Sequence, residues 1–389
     1  MIVWGGSSRG RLFNDGAAYN PETSTWRQIA PAPIEGRTGH TTVWTGDEMI
    51  VWGGCCEQRG DEFGDGAAYN PELNTWRMLP PAPIHARTGH TAVRGLGKRT
   101  MVIWGGHVFD KAFDDGAVYD AEMDSWRKLP PSGIVGRYSH GAVFDGFRMI
   151  VWGGATTEPN ILGDGASFAG MANREPAYDI DIRKGWTPIR SNGPPRSSYT
   201  ALSVGEEMIV WGGCCSETGE ELGGGAVYDP QEDLWRRLPP AGLSPRQGHT
   251  ATFTGRRMVI WGGAQGLEAG PVGLADGAAY DPTTNKWSAV PPSTLRGRFA
   301  HSAVMTSDDI LVWGGCCDEK GVAFSDGAVL DLLEARIPSL SNEQVLSPPP
   351  DDVSVLPPLI GILLGVLFAL GLIVLFAVSW RRKSAEPDG

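Results

Sequence analysis

Three sets of side chains in this chain are of types that could do chemistry, and each set recurs. Six arginines, Arg37, Arg87, Arg137, Arg196, Arg246 and Arg298, stand at one repeated position. Guanidinium groups converging on a pocket present planar forks to a carboxylate or other anion, so a ring of them would make a binding site. The competing reading is structural. Each arginine then pairs with a repeated partner such as Asp15, Asp65, Asp115, Asp164, Asp276 or Asp326 and ties neighbouring repeats together. Five of the seven histidines, His40, His90, His140, His249 and His301, also share one position, which is the habit of packing residues rather than metal ligands. His85 and His107 fall outside that pattern, and His107 occupies the place that Cys55 holds one repeat earlier.

All six cysteines lie in three adjacent pairs, Cys55-Cys56, Cys214-Cys215 and Cys316-Cys317, each reading Cys-Cys-x-x-x-Gly. No CxxC and no Cys/His spacing suggests a zinc site, so no metal or cofactor is expected. Each pair occurs where a Gly-Gly lies 11 residues before Asp65, Gly224 or Asp326, whereas the other equivalent loops measure 9, 9, 10 and 13. Cysteine pair and loop length travel together. The pattern points to three vicinal disulfides formed in an oxidising compartment, with thiolate metal binding or buried reduced cysteines as the alternatives. Neighbouring Cα atoms are about 3.8 Å apart, shorter than most disulfides span, so such a ring forces an unusual turn.

The elements that must position these residues are set by an apolar run closed by Trp-Gly-Gly, which starts at Trp4, Trp52, Trp104, Trp152, Trp211, Trp261 and Trp313. Four apolar residues ended by two glycines read as a strand buried on both faces and then a tight turn. The copies lie 48, 52, 48, 59, 50 and 52 residues apart, a period that marks a radial or stacked repeat. A full unit carries four strands. They begin at Arg-x-x-His, at the run before Trp-Gly-Gly, at Asp-Gly-Ala-x-Tyr and at Trp-Arg-x-Leu.

Arg-x-x-His, an apolar strand ending in Gly-Gly, Tyr-Asp/Asn-Pro and a Trp six residues after the Asp/Asn together resemble the kelch repeat, over roughly Met1 to Asp331. The resemblance implies an all-β, seven-bladed kelch β-propeller whose first strands line a central channel. It also brings in sugar-active relatives, galactose oxidase and a sialic acid epimerase. No copper site of the oxidase type is visible, but an epimerase-like pocket at an arginine-lined mouth is compatible with the sequence. Copies depart from the pattern informatively. Phe168 replaces Tyr and about eleven extra residues precede Trp186, Tyr199 replaces the histidine, and Gly224-Gly225 replaces Asp-Gly. The seventh copy ends weakly, with Leu332 to Leu340 as a degenerate outer strand, and the first blade is incomplete because it has no Arg-x-x-His strand. Residues upstream of Met1, or a segment around Ile337 to Leu346, are expected to fill that gap, the former preferred.

The propeller is expected over 1–340, with a Pro/Asp-containing linker over 341–358. Leu359 to Trp380 is 22 uncharged residues, about 33 Å as a helix against a hydrocarbon core of about 30 Å, and reads as a single transmembrane helix. Arg381-Arg382-Lys383 open the short tail of 381–389, so the positive-inside rule puts the tail in the cytoplasm and the propeller outside a plasma membrane. No export signal opens the chain. With 45 acidic against 33 basic residues, net charge -12, nucleic acid is not an expected partner. The expected function is a membrane-anchored extracytoplasmic module binding a protein or glycan, with a sugar-active enzyme as the alternative.

Overall fold

The computed structural model describes residues 1–56, 62–95, 99–158, 160–169, 185–190, 192–214, 220–266, 270–306, 309–316, 322–331 and 344–346. Among the described residues seven antiparallel sheets of three or four strands follow one another along the chain, six of them with four strands paired in sequence order, beside three two-stranded hairpins. In the second blade these are Thr41–Trp44, Met49–Trp52, Gly66–Asn70 and Thr75–Met78. The first-named strands of blades two to seven touch one another in succession and form the inner ring. Blade one has three strands, Ile2–Trp4, Gly16–Asn20 and Thr25–Gln28, so its inner strand is absent from the described residues, as the motif count implies.

In blades two to seven the second strand is the most deeply buried, because sheets cover it on both faces. Ile50, Val51, Met101, Val102, Ile150 and Val151 all have no exposed surface. Beside it, the glycine of Asp-Gly-Ala lets the third strand approach. A Cβ on Gly66 would sit 2.4 Å from the Val51 carbonyl, and on Gly165 2.1 Å from that of Val151. The outer face of each sheet then packs on its neighbour through aromatic rings. The tryptophan of Trp-Gly-Gly meets the outer-strand tryptophan of the next blade, as in Trp4–Trp76 at 5.6 Å and Trp152–Trp235 at 4.6 Å.

The ring closes the same way, blade seven's Trp313 lying 4.5 Å from blade one's Trp26, with Tyr19 and Leu311 buried beside them. Blade seven obtains its fourth strand later than expected. Gln344–Leu346, which composition assigns to the linker, pairs with Gly327–Asp331 in the register Gly327↔Leu346. Residues 332–343, 347–389 and 170–184 lie outside the described residues, and with them the expected transmembrane helix, tail and fourth-blade excursion. Among the described residues no helix is long and apolar enough to cross a membrane.

A bend inside Arg-x-x-His requires a left-handed residue. Gly39, Gly89 and Gly248 supply it at φ of 64, 63 and 65°, but Ser139, Ser198 and Ala300 adopt 51, 52 and 51°. The geometry is imposed because this residue's amide bonds the preceding blade, as with Ala300 N donating to Gly248 O at 2.8 Å. A left-handed alanine costs about 1–2 kcal/mol. Ala300→Gly is therefore expected to raise stability by about 1 kcal/mol, read as a higher urea midpoint at unchanged slope; a lower midpoint would show that the bend is not strained.

Candidate functional site

The six arginines share one face of the propeller with the cysteine loops, because the start of the first strand and the end of the second lie at the same end of a four-stranded meander. They do not line an open mouth. Arg37, Arg87, Arg137, Arg246 and Arg298 are completely buried and Arg196 is 5% exposed. Arg137 shows how the arginines that have an aspartate partner are held. Its Nη1 donates to the carbonyls of Gly153 and Asp164, both at 3.0 Å, and its two terminal nitrogens reach Asp164 Oδ1 and Oδ2 at 2.9 and 3.1 Å. Ion pairs at 2.8 Å join Arg37 to Asp65, Arg87 to Asp115, Arg246 to Asp276 and Arg298 to Asp326. Phe63, Phe113 and Phe324 lie against the guanidinium planes of Arg37, Arg87 and Arg298, at 4.1, 4.2 and 4.7 Å.

The expected tie between repeats is therefore corrected in its details. Each ion pair lies within one blade, between the starts of its first and third strands, and among the described residues Asp15 has no such arginine. The arginine's backbone makes the link to the preceding blade. Arg87 N donates to Phe63 O at 3.2 Å, and its carbonyl accepts from Gly54 N at 3.0 Å. An epimerase-like pocket built on the fully buried arginines is not what the geometry offers.

The histidines are the second inter-blade set. His90 Nε2 meets Thr41 Oγ1 at 2.8 Å and its ring stands edge-on to Trp52 at 5.2 Å, both in the preceding blade. The same pairs recur as Thr91–His140, Thr200–His249 and Thr250–His301. Burial, with the neighbouring arginine's charge second, lowers His90, His249 and His301 to about 3 and His40 to about 4. These imidazoles are neutral packing groups. Where the histidine is Tyr199, the preceding threonine is Gly141. The larger side chain occupies the vacated space, accepting from Gly141 N at 2.9 Å and donating to Trp152 O at 2.6 Å. His107 is also buried, its ring 4.3 Å from that of Tyr138, while the His85 ring stacks on Phe113 at 5.8 Å.

Cys55 and Cys56 form a disulfide between adjacent residues, Cα atoms 3.4 Å apart. Cys55 is anchored beside the arginine by paired bonds with Thr38, 2.7 and 2.8 Å long. Cys214 and Cys316, equivalently placed opposite Ser197 and Phe299, are also disulfide-bonded; Cys215 and Cys317 lie outside the described residues. No cluster of metal-ligating side chains occurs among the described residues.

Sequence reasoning missed a third set. Outer-strand tryptophans bond carbonyls of the preceding blade's proline-rich connection, Trp76 to Ala30, Trp126 to Pro80 and Trp287 to Pro239, at 2.8–2.9 Å. The hydroxyls of Tyr69 and Tyr280 donate to Asn74 and Asn285 at 2.7 and 2.8 Å. Both asparagines are left-handed, which their recurrence five residues after the tyrosine could have signalled.

Seven radial sheets joined by buried arginines, histidines and tryptophans define a β-propeller of repeated four-stranded blades. The model of the KLHDC2/KLHL20/DRC7 Kelch-repeats domain matches residues 1–154, 89–315 and 167–354, and the chain belongs to the kelch-repeat family. Over 114 residues it is 28% identical to the F-box/kelch-repeat protein SKIP20 of Arabidopsis thaliana. That likeness covers 28% of this chain and 27% of the relative, about a quarter of each.

Two outcomes follow from this geometry. Arg137→Ala leaves Asp164 and two carbonyls without their cation, so a loss of about 3–5 kcal/mol is expected in urea unfolding; a loss below about 1 kcal/mol would return Arg137 to the candidates for ligand binding. Each buried histidine contributes stability that is full above its unfolded pKa near 6.5 and is lost as pH falls toward about 3–4, because the unfolded chain takes up protons that the native state refuses. His140→Tyr alone should overpack against Thr91 and cost about 1–3 kcal/mol, whereas Thr91→Gly with His140→Tyr should recover stability and flatten its decline between pH 7 and 4.

Proposed function

We propose that this chain is an interaction module anchored in a membrane by residues 359–380, with its propeller outside the cytoplasm and the face that carries the disulfides turned to a protein or glycan ligand. Kelch propellers are in general protein-interaction modules. The observation that carries the reading is chemical. Cys55, Cys56, Cys214 and Cys316 are all oxidised, and each stands at the head of a loop on one face. Disulfides persist in oxidising compartments, which agrees with an apolar span followed at once by Arg381-Arg382-Lys383. Most of the repeat's own arginines and histidines are buried inside the fold, so specificity falls to loops that differ between blades.

The test uses the full chain in membranes. Protease added to sealed, right-side-out vesicles is expected to remove the propeller while an epitope after Gly389 stays protected, and intact-mass analysis of the released propeller should find no free thiol. Cleavage of the epitope with the propeller protected, or six free thiols, would reverse the orientation. A protein and glycan array probed with the same propeller then identifies the ligand class, with loss of binding on Cys55→Ser with Cys56→Ser placing it on the disulfide face.

A further inference from the structure

Blade five holds its arginine differently from the other five. Arg196 keeps only part of the backbone arrangement: Nη1 donates to Gly212 O and Gly224 O at 3.0 Å each, but Nε, which in the other five arginines donates to the carbonyl two residues earlier, is buried without a hydrogen-bond partner. The carboxylate half is missing, because Gly224 stands where Asp65, Asp115, Asp164, Asp276 and Asp326 stand elsewhere. Among the described residues no carboxylate pairs with Arg196, whereas Nη1 and Nη2 of its counterparts hold one. Burial lowers its pKa to about 10. A buried cation with no counter-ion is costly to the fold.

Neither backbone nor packing demands a glycine there. Gly224 is not among the residues with positive φ, and a Cβ built on it meets nothing within 4 Å. The vacated place also reaches solvent, since the aspartates that fill it in other blades have side chains 22–55% exposed. Its shape is fixed by the guanidinium fork, which in blades four and six takes both oxygens of one carboxylate.

We infer that blade five is a one-carboxylate site, in which Arg196 receives an aspartate or glutamate side chain of a protein partner in the space vacated at Gly224. An acidic side chain is the favoured occupant because five blades of this chain already place one there on the same fork. The inference rests on reading the propeller as an interaction module and assigns that module a contact.

The probe is N-acetyl-aspartate N-methylamide, titrated onto the full chain by ligand-observed NMR beside its asparagine analogue and glucuronic acid. The aspartate compound should bind at least about tenfold more tightly than the asparagine compound. Gly224→Asp, which supplies the carboxylate internally, should abolish that binding and raise the urea midpoint; Gly224→Ser should keep the binding. Equal binding of the two amides, or unchanged binding by Gly224→Asp, overturns the site. A preference for glucuronic acid of about tenfold or more overturns the protein source and assigns the site to sugar acids. Partner capture that is equal in wild type and Gly224→Asp overturns the inference and leaves the module reading standing, whereas a propeller that captures no partner in either form removes the module reading itself.

Discussion

The constraint on which this propeller depends is the buried arginine at the start of each inner strand. The Gly-Gly turn after each second strand brings carbonyls to a place where no sheet partner waits for them. A guanidinium, with five donors in a fixed plane, can take the carbonyl of the turn's first glycine, the carbonyl of the residue before the third strand and, in five blades, that residue's carboxylate, which cancels its charge. Because the same residue's amide and carbonyl bond the preceding blade, one position fixes both the inside of a blade and its seat on its neighbour. Gly53 and Gly54 at φ of 68 and 95° follow from this, since other residues would strain that turn, and a Cβ on Gly54 would lie 2.6 Å from the Thr38 carbonyl.

The histidines and tryptophans complete the seam at other radii. A ring edge on Trp52 and a hydroxyl on Thr41 hold His90, and an indole N–H on the Pro80 carbonyl holds Trp126. Every contact of this kind runs from one blade to the blade before it, so the ring is stable only if the last seam closes. At that seam blade seven's Trp313 lies 4.5 Å from blade one's Trp26.

Blade number, strand order and burial of the second strand were legible because they rest on local residues: an apolar run, two glycines and a turn. Pairing of the arginines with repeated aspartates was legible as the structural alternative, but its direction was not, because an acid 27–30 residues away can lie in the same blade or the next. The threonine that meets each histidine was likewise hidden, 49 residues upstream in blade three's case. Its signal was present in one place, the joint change to Gly141 and Tyr199. The last outer strand was misplaced because Gln344–Leu346 carries none of the tryptophan chemistry that marks its six counterparts.

A repeat that turns its charged side chains inward leaves little for recognition in what the blades share. What distinguishes this propeller from a scaffold lies in the departures: a disulfide between neighbours where blade four has Ala155, a buried His107 in the same place in blade three, and a glycine where five blades have an aspartate. Each departure falls on the face where the arginines stand, and each alters a position whose backbone partner is unchanged. Thr38, Thr88, Tyr138 and Ser197 bridge to their loops in the same way whatever the loop carries. The fold thus holds a constant backbone platform under side chains that vary, which is the arrangement that lets one face acquire a specific ligand without disturbing the seams that close the ring.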